Sequence, residues 1–446
     1  MRTQAKGLIA LSIMAAGMSW TTSARAAGNS VAAPAPASWT GLYVGADVGG
    51  LFAHTTHARP DQDLATTGIG SISRRPSLGL IGGFNYQFGP MFVLGLEGQM
   101  TRFSVLNFRG EDPNTDFLKK VESLTTLTGR FGILATPDTL AYGKLGVARI
   151  GTSGFEGFGD TFRKTISGLQ AGAGIETRVT PNISLRGEAL YTRASDQLKL
   201  NEGFDAYRPS LIQYKLGAVY RFDAPQGWGV QGAESKSMWA FGQTGEPAWT
   251  GVTIGGFGSV NGRQISWNRL NSDIESGNLG PFTALSAGFG GFVGANVKLF
   301  SMAVLGVEVS GNFARSDFIE PAGTGLAQQF HRFASVDQVR AATARLGWLA
   351  TPGTLLYAKA GPASINMTVD NAYWTALAPN VTGGKSMAAW QFGLGVETFV
   401  TPSISLRVEG LHTRASNSIV MKGTQPDVIT LRPSDMSGTI GVAYHF

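Results

Sequence analysis

The chain has 446 residues, a formal net charge of +6, 61 glycines and no cysteine. The absence of thiols excludes disulfides, a thiol nucleophile and a cysteine-based zinc site. Beyond residue 26 no stretch reaches the roughly eighteen consecutive apolar residues of a membrane helix, which leaves a soluble periplasmic protein or a barrel that hides its apolarity by alternation.

The first residues read as an export leader. Arg2 and Lys6 precede an apolar run over residues 7–20, and Ala24-Arg25-Ala26 is a small-x-small cleavage site, so 1–26 is expected to leave and the mature chain to start at Ala27. The run is too short to cross a bilayer as a helix. Loss of Arg2, Lys6 and Arg25 takes the net charge from +6 to +3, which is no footprint for nucleic acid. Residues 27–38, with alternating Ala and Pro at 32–37, read as a flexible tether.

Two copies of one module follow. Trp39-Thr40-Gly41 returns as Trp249-Thr250-Gly251 at an offset of 210, and Gly95-Leu96-Glu97 returns as Gly306-Val307-Glu308 at 211. Arg130 and Lys144 return as Arg345 and Lys359 at 215; Gly172 to Ser195 returns as Gly393 to Ser416 at 221; Phe222 returns as Phe446 at 224. Ordered self-similarity over nearly the whole chain marks a tandem duplication. The copies are expected at 39–222 and 248–446, joined by a linker at 223–247.

Period-2 alternation predicts eight strands per copy, in the first copy near 40–50, 77–88, 91–102, 124–134, 140–150, 166–178, 183–194 and 211–222. Turns after the second, fourth and sixth strands keep their length between copies. Every change of offset falls in the connections after strands one, three, five and seven. In an up-and-down meander these lie at opposite ends, so one end has short fixed turns and the other long variable loops. That asymmetry belongs to a transmembrane antiparallel β-barrel, whereas Greek-key sandwiches have no reason to sort insertions this way.

The faces of the strands carry the candidate site. In the seventh strand Ile183, Leu185, Gly187, Ala189 and Tyr191 oppose Ser184, Arg186 and Glu188. Extended along the first copy, the alternation puts Asp47, Glu97, Glu176 and Glu188 on one face with Arg130, Lys144, Arg186 and Lys215. The second copy keeps Glu308, Glu397 and Glu409 with Arg345, Lys359 and Arg407. Buried charges persist when paired, so this balance points to a lumen charge network in each copy. Lumen glycines Gly41, Gly45, Gly83, Gly95, Gly146 and Gly174 suit a tight interior. Aromatics near strand ends, among them Trp39, Tyr86, Phe88, Phe92, Tyr220, Phe222, Trp249, Trp348, Tyr444 and Phe446, suit girdles at the membrane interfaces.

The opening Trp39-Thr40-Gly41-Leu42-Tyr43-Val44-Gly45, the run Tyr142-Gly143-Lys144-Leu145-Gly146-Val147-Ala148 and the Tyr444-His445-Phe446 ending resemble the opacity-type, or outer-membrane protein A-like, barrels called the porin family in alphaproteobacteria. The resemblance covers both halves. It implies an outer-membrane location and outer-membrane lipid and lipopolysaccharide as surroundings. It also implies that Tyr444 and Phe446 form a signal read by the barrel-assembly machinery. Duplication departs from the usual single domain, and so does Pro362 in the fifth strand of copy two, where a bulge or strand end is expected.

No catalytic, cofactor or metal constellation emerges. His54 and His57, with Asp61 and Asp63 nearby, read as solvated residues of an outer loop. His412 and Ser416 lack a third partner, and copy one has Tyr191 and Ser195 there. Gly172-Ala173-Gly174 is followed by no helix, and the basic pairs Arg74-Arg75 and Lys119-Lys120 read as solvated. Two architectures remain: two eight-stranded barrels, favoured by the long 223–247 linker, or one sixteen-stranded general diffusion porin. Each predicts a function. Small filled barrels suit a structural or surface-interaction role with little permeability; a sixteen-stranded barrel encloses an aqueous channel.

Overall fold

A computed structural model describes residues 38–59, 64–73, 76–103, 117–156, 160–200, 205–222, 248–270, 281–322, 329–370, 383–422 and 428–446. The expected leader, the tether up to residue 37 and the linker at 223–247 lie outside these residues.

The first copy forms β1 (Gly41–Arg59), β2 (Leu64–Ile72), β3 (Ser77–Phe88), β4 (Phe92–Arg102), β5 (Phe117–Thr136), β6 (Thr139–Glu156), β7 (Asp160–Arg178), β8 (Ile183–Ala194), β9 (Leu198–Leu200) and β10 (Asp205–Arg221). The second forms β11 (Gly251–Leu270), β12 (Pro281–Leu299), β13 (Ala303–Ala322), β14 (Gln329–Thr351), β15 (Thr354–Val369), β16 (Gly383–Phe399), β17 (Ile404–Ala415), β18 (Ile419–Lys422) and β19 (Val428–His445). All pairings are antiparallel. β2, β9 and β18 are short extensions beside β1, β10 and β19, leaving eight principal strands in each copy.

Ring closure decides between the two architectures. β1 pairs with β10 from Tyr43↔Arg221 to Ala58↔Ala206, so the first strand meets the eighth of its own copy. β11 pairs with β19 from Thr253↔His445 to Leu270↔Val428. Each copy therefore closes its own hydrogen-bond ring, which leaves no free edge. The single sixteen-stranded ring, and with it the wide-porin architecture, is excluded.

Three local expectations need correction. Strands run further into the loop end than alternation suggested. β6 and β7 continue to Glu156 and from Asp160, so most of the long fifth connection is ladder. There Arg163 and Thr165 are exposed while Phe162 and Ile166 are buried. A strand beyond the apolar zone can be wet outside, so the hydrophobic period fades while the backbone pairing persists. His54 and His57 belong to β1 rather than to a loop, and His54 is not solvated: it is buried, with Nδ1 3.0 Å from Thr283 Oγ1 of β12. Asp61 and Asp63 lie outside the described residues. Finally, Pro362 makes neither a bulge nor a strand end. It pairs with Trp390 of β16, and on the β14 side the ladder is interrupted between Ala341↔Ala363 and Ala344↔Ala360 without a change of register. Proline removes a donor, and the strand absorbs that loss.

Candidate functional site

Charges on the inward face of a small ring have nowhere to go but toward each other. In the first ring Glu97 of β4 is the hub. Its carboxylate lies 2.6 Å from Lys144 of β6, 2.7 Å from Arg186 of β8 and 3.7 Å from Arg130 of β5, and it accepts the Tyr43 hydroxyl at 2.9 Å. Glu176 bridges Arg130 at 2.9 Å and Arg221 at 2.7 Å. Glu188 takes Lys144 at 3.2 Å, Arg186 at 3.5 Å and the Tyr142 hydroxyl at 2.8 Å. Asp47 lies 3.4 Å from Lys215 and accepts Gln99 at 2.5 Å. Glu97–Arg130 and Asp47–Lys215 link ring neighbours, and Arg186–Glu188 lies within one strand. Glu97–Lys144, Glu97–Arg186, Glu176–Arg130, Glu176–Arg221 and Glu188–Lys144 join strands that are not neighbours and so cross the interior. All the charged members are buried.

The second ring repeats the plan. Glu308 pairs with Lys359 at 2.9 Å and Arg407 at 2.8 Å; Glu409 pairs with the same two at 2.7 and 3.0 Å and accepts the Tyr357 hydroxyl at 2.7 Å. Glu397 takes Arg345, His445 at 3.0 Å and the Ser405 hydroxyl at 2.6 Å. All fourteen charged side chains singled out from the sequence thus sit in one or other interior.

Several partners were missed. Arg221 and His445 share the inward parity of Val219 and Ala443, which was the available signal. Arg263 and Asp435, 2.9 Å apart near the loop end of ring two, gave no repeat signal, because their counterparts in copy one are Ala53 and Leu211. The aromatic–glycine pairs also became visible only in three dimensions. Tyr142 lies over Gly174 of the next strand, where an added Cβ would meet its hydroxyl at 2.7 Å, and Tyr357 covers Gly395 likewise. Arg130 and Arg345 stack on these two rings, each 3.9 Å from the centroid. In copy two an aromatic has moved to the neighbouring strand. Tyr43 and Ile81 of copy one correspond to Thr253 and Phe292, and Arg407 stacks 3.5 Å from the Phe292 centroid.

Trp39 and Trp249 are no part of an interfacial girdle. Both are buried at the short-turn ends of their rings, where the indole N–H donates to the Pro137 carbonyl at 3.0 Å and the Pro352 carbonyl at 2.9 Å. Trp39 lies between Arg178 at 4.2 Å and Arg221 at 4.4 Å. Trp249 meets Phe399 at 4.6 Å and His445 at 5.9 Å in the corresponding places. Around them pack Val93, Leu134 and Leu140 in one ring and Val304, Leu349 and Leu355 in the other. At the loop ends, larger apolar clusters fill the interiors, with Leu51, Leu124, Ile150 and Leu211 in ring one and Ile265, Phe333, Met367 and Leu431 in ring two. Each interior is therefore layered as tryptophan cork, charge network and apolar plug.

The outward faces are apolar. Leu80, Leu145 and Val309 are each about two-thirds exposed, within a belt that includes Leu42, Leu96, Leu127, Leu169, Leu305 and Leu394. A continuous belt of this kind marks a surface made for lipid. The sequence matches the family described as outer membrane protein beta-barrel domain over residues 21–222 and again over 239–446. The chain belongs to that family. This outer-membrane barrel protein is 27% identical over 202 residues to the 31 kDa outer-membrane immunogenic protein of Brucella melitensis biotype 1, covering 42% of this chain and 84% of that one. The same figures hold for the protein of that name from Brucella suis biovar 1. Among solved structures, Ail, the attachment invasion locus protein of Yersinia pestis, aligns at 17% identity and a TM-score of 0.24, over 41% of this chain and 99% of that one.

Placed in an outer membrane, the outer-membrane barrel protein puts its belt in lipid. Tyr86, Tyr220, Trp348 and Tyr444 are half-exposed, as an interfacial girdle requires. Tyr220 stacks on Phe222 at 5.2 Å and Tyr444 on Phe446 at 4.9 Å in the same edge-on manner. His412 faces outward on β17 opposite Met436, and Ser416 lies in the turn beyond that strand. Among the described residues no cluster of three His, Asp or Glu side chains forms a metal-holding group.

Proposed function

We propose that this protein is a paired outer-membrane barrel with a structural or surface-interaction role, passing little or no solute. The observation that carries this reading is the layered interior: a Glu97-centred network between a Trp39 cork and an apolar plug, repeated around Glu308 and Trp249. Eight-stranded barrels are narrow enough for side chains to fill. An ion moving along either axis would have to displace buried, paired charges and then cross an apolar layer, which no hydrated ion does without cost. The belts hold the barrels in lipid, the loop-end strands reach outward, and lipopolysaccharide is the polar surface around them. The name of the Brucella relative, an immunogenic protein, fits loops that face outside. The stacked Tyr444–Phe446 pair suits a mark read by the barrel-assembly machinery.

Planar bilayer recording of the purified protein tests the reading. It expects rare, small openings. Large, stable steps would overturn it and restore a channel function.

A further inference from the structure

The two rings touch each other through equivalent faces. Thr139 Oγ1 lies 3.4 Å from Thr398 Oγ1, and Thr177 Oγ1 lies 3.2 Å from Thr354 Oγ1. Thr354 is the counterpart of Thr139 at offset 215, and Thr398 of Thr177 at 221. The contact is thus reciprocal, as in a two-fold symmetric dimer, where residue i meets j and j meets i. A second reciprocal pair follows: Tyr214 packs on Gly410, and Ala189, the counterpart of Gly410, lies 3.2 Å from where a Gly438 Cβ would stand.

Residues near such an axis meet their own counterparts. Phe52 sits against Gly262, its counterpart at offset 210, and Tyr214 sits 3.3 Å from a Cβ built on Gly438, its counterpart at 224. In both cases copy one supplies the ring and copy two the space. Between two identical copies, two phenyl or two phenol rings would claim one volume, and two glycines would leave a void. Bulky side chains of both copies, Phe52, Ile212 and Tyr214 with Leu285 and Met436, form one buried cluster here, and Gly262, Gly410 and Gly438 of copy two give the space that Phe52 and Tyr214 fill. In lipid, apolar surface gives no net drive to association, so close approach over small residues and hydrogen bonding decide it.

We propose that this face is a knob-and-hole interface divided between the two copies, so that copy one pairs with copy two of its own chain and neither pairs with itself. Its occupant is the other half of the same polypeptide. The belt is closed off on this side, and the protein inserts as one pseudo-dimer rather than as two barrels drifting on a linker.

The chain has no cysteine to interfere with a cross-linking test on the full-length protein. Ala189→Cys with Gly438→Cys places two Cβ atoms near disulfide distance. Mild oxidation of membranes should join them within one chain. With a specific protease site inserted in 223–247, the cut halves should stay together until reduced. The exposed counterparts Leu96→Cys and Val307→Cys, on the far sides, should not join. Gly262→Phe should lower cross-linking through Thr177→Cys with Thr354→Cys roughly tenfold by overpacking the hole, and adding Phe52→Gly should transpose knob and hole and restore it. Heat-modifiable migration checks that each variant keeps its barrels, since all these side chains face outward. Failure of the first pair to join, joining mainly between separate chains, or indifference to Gly262→Phe would each overturn the proposal. If Gly262→Phe prevents folding, the outcome of the first pair alone decides.

Discussion

Arg186 and Glu97 face each other across the first ring at 2.7 Å, and their counterparts Arg407 and Glu308 repeat the contact across the second at 2.8 Å. Neither pair comes from neighbouring strands. Each ties one wall of a barrel to the opposite wall, with a lysine on the same carboxylate, Lys144 in one ring and Lys359 in the other.

Removing the hub charge should be the most damaging conservative change. Glu97→Gln leaves Lys144 and Arg186 buried with one carboxylate, Glu188, between them, and takes from Arg130 its second acid. Breaking a buried pair from one side costs about 3–5 kcal/mol. Glu188→Gln, which leaves Glu97 in place, should cost less. Urea unfolding of the refolded protein in detergent, read by the heat-modifiable band, orders the two; equal stability of both variants and the parent would show the network to be dispensable.

The tryptophan corks should govern leakage. Trp39→Ala removes a buried ring held between Arg178 and Arg221 and opens the turn end of ring one. The cavity is expected to cost about 3–5 kcal/mol, yet the ladder of ring one should persist. Channel recordings of Trp39→Ala, and of Trp39→Ala with Trp249→Ala, should show more frequent openings than the parent. An unchanged record would place the barrier in the other two layers.

Glycine position should decide tolerance. Gly174→Ala would set a methyl 2.7 Å from the Tyr142 hydroxyl and from the Gly187 carbonyl oxygen of the facing strand, whereas a Cβ on Gly82 meets nothing within 4 Å. Overpacking of the first site should cost about 1–3 kcal/mol. The second should stay within about 0.5 kcal/mol, as open surface sites usually do. Paired denaturation curves check this, and a reversed order would mean the inward and outward faces had been exchanged.

Half the chain should fold alone. Ring two closes through the β11–β19 ladder without any strand of copy one. Residues 248–446, refolded in detergent, are therefore expected to give β-type circular dichroism and a heat-modifiable band. Failure to close would show that ring two needs its neighbour to form.

The strand plan and the facing of the charges were legible because both rest on a local rule. Side chains alternate at every residue, so Arg186 and Glu188 share a face whatever lies around them. The duplication was legible too, since offsets need no structure. Other features escaped for physical reasons. Trp39 at a strand end reads like any interfacial aromatic, and only the closed ring shows it packed inward between Arg178 and Arg221 as a cork. Past the apolar zone β6 and β7 lose their hydrophobic period but keep their ladder. Nothing local marks the outward glycines Gly410 and Gly438 as places where Tyr214 of the other copy packs.

By itself, then, the sequence determined two copies, eight strands in each, short turns at one end, and the shared face of charges such as Arg186 and Glu188. It could not determine which strand closes on β1. The eighth and ninth strands are antiparallel in either topology, and a backbone ladder carries no label for its partner. Tertiary structure decided it by pairing Tyr43 with Arg221 and Thr253 with His445. Closure of each copy on itself brings the charges of opposite walls within hydrogen-bond distance, a contact that a ring twice as wide would leave open to water.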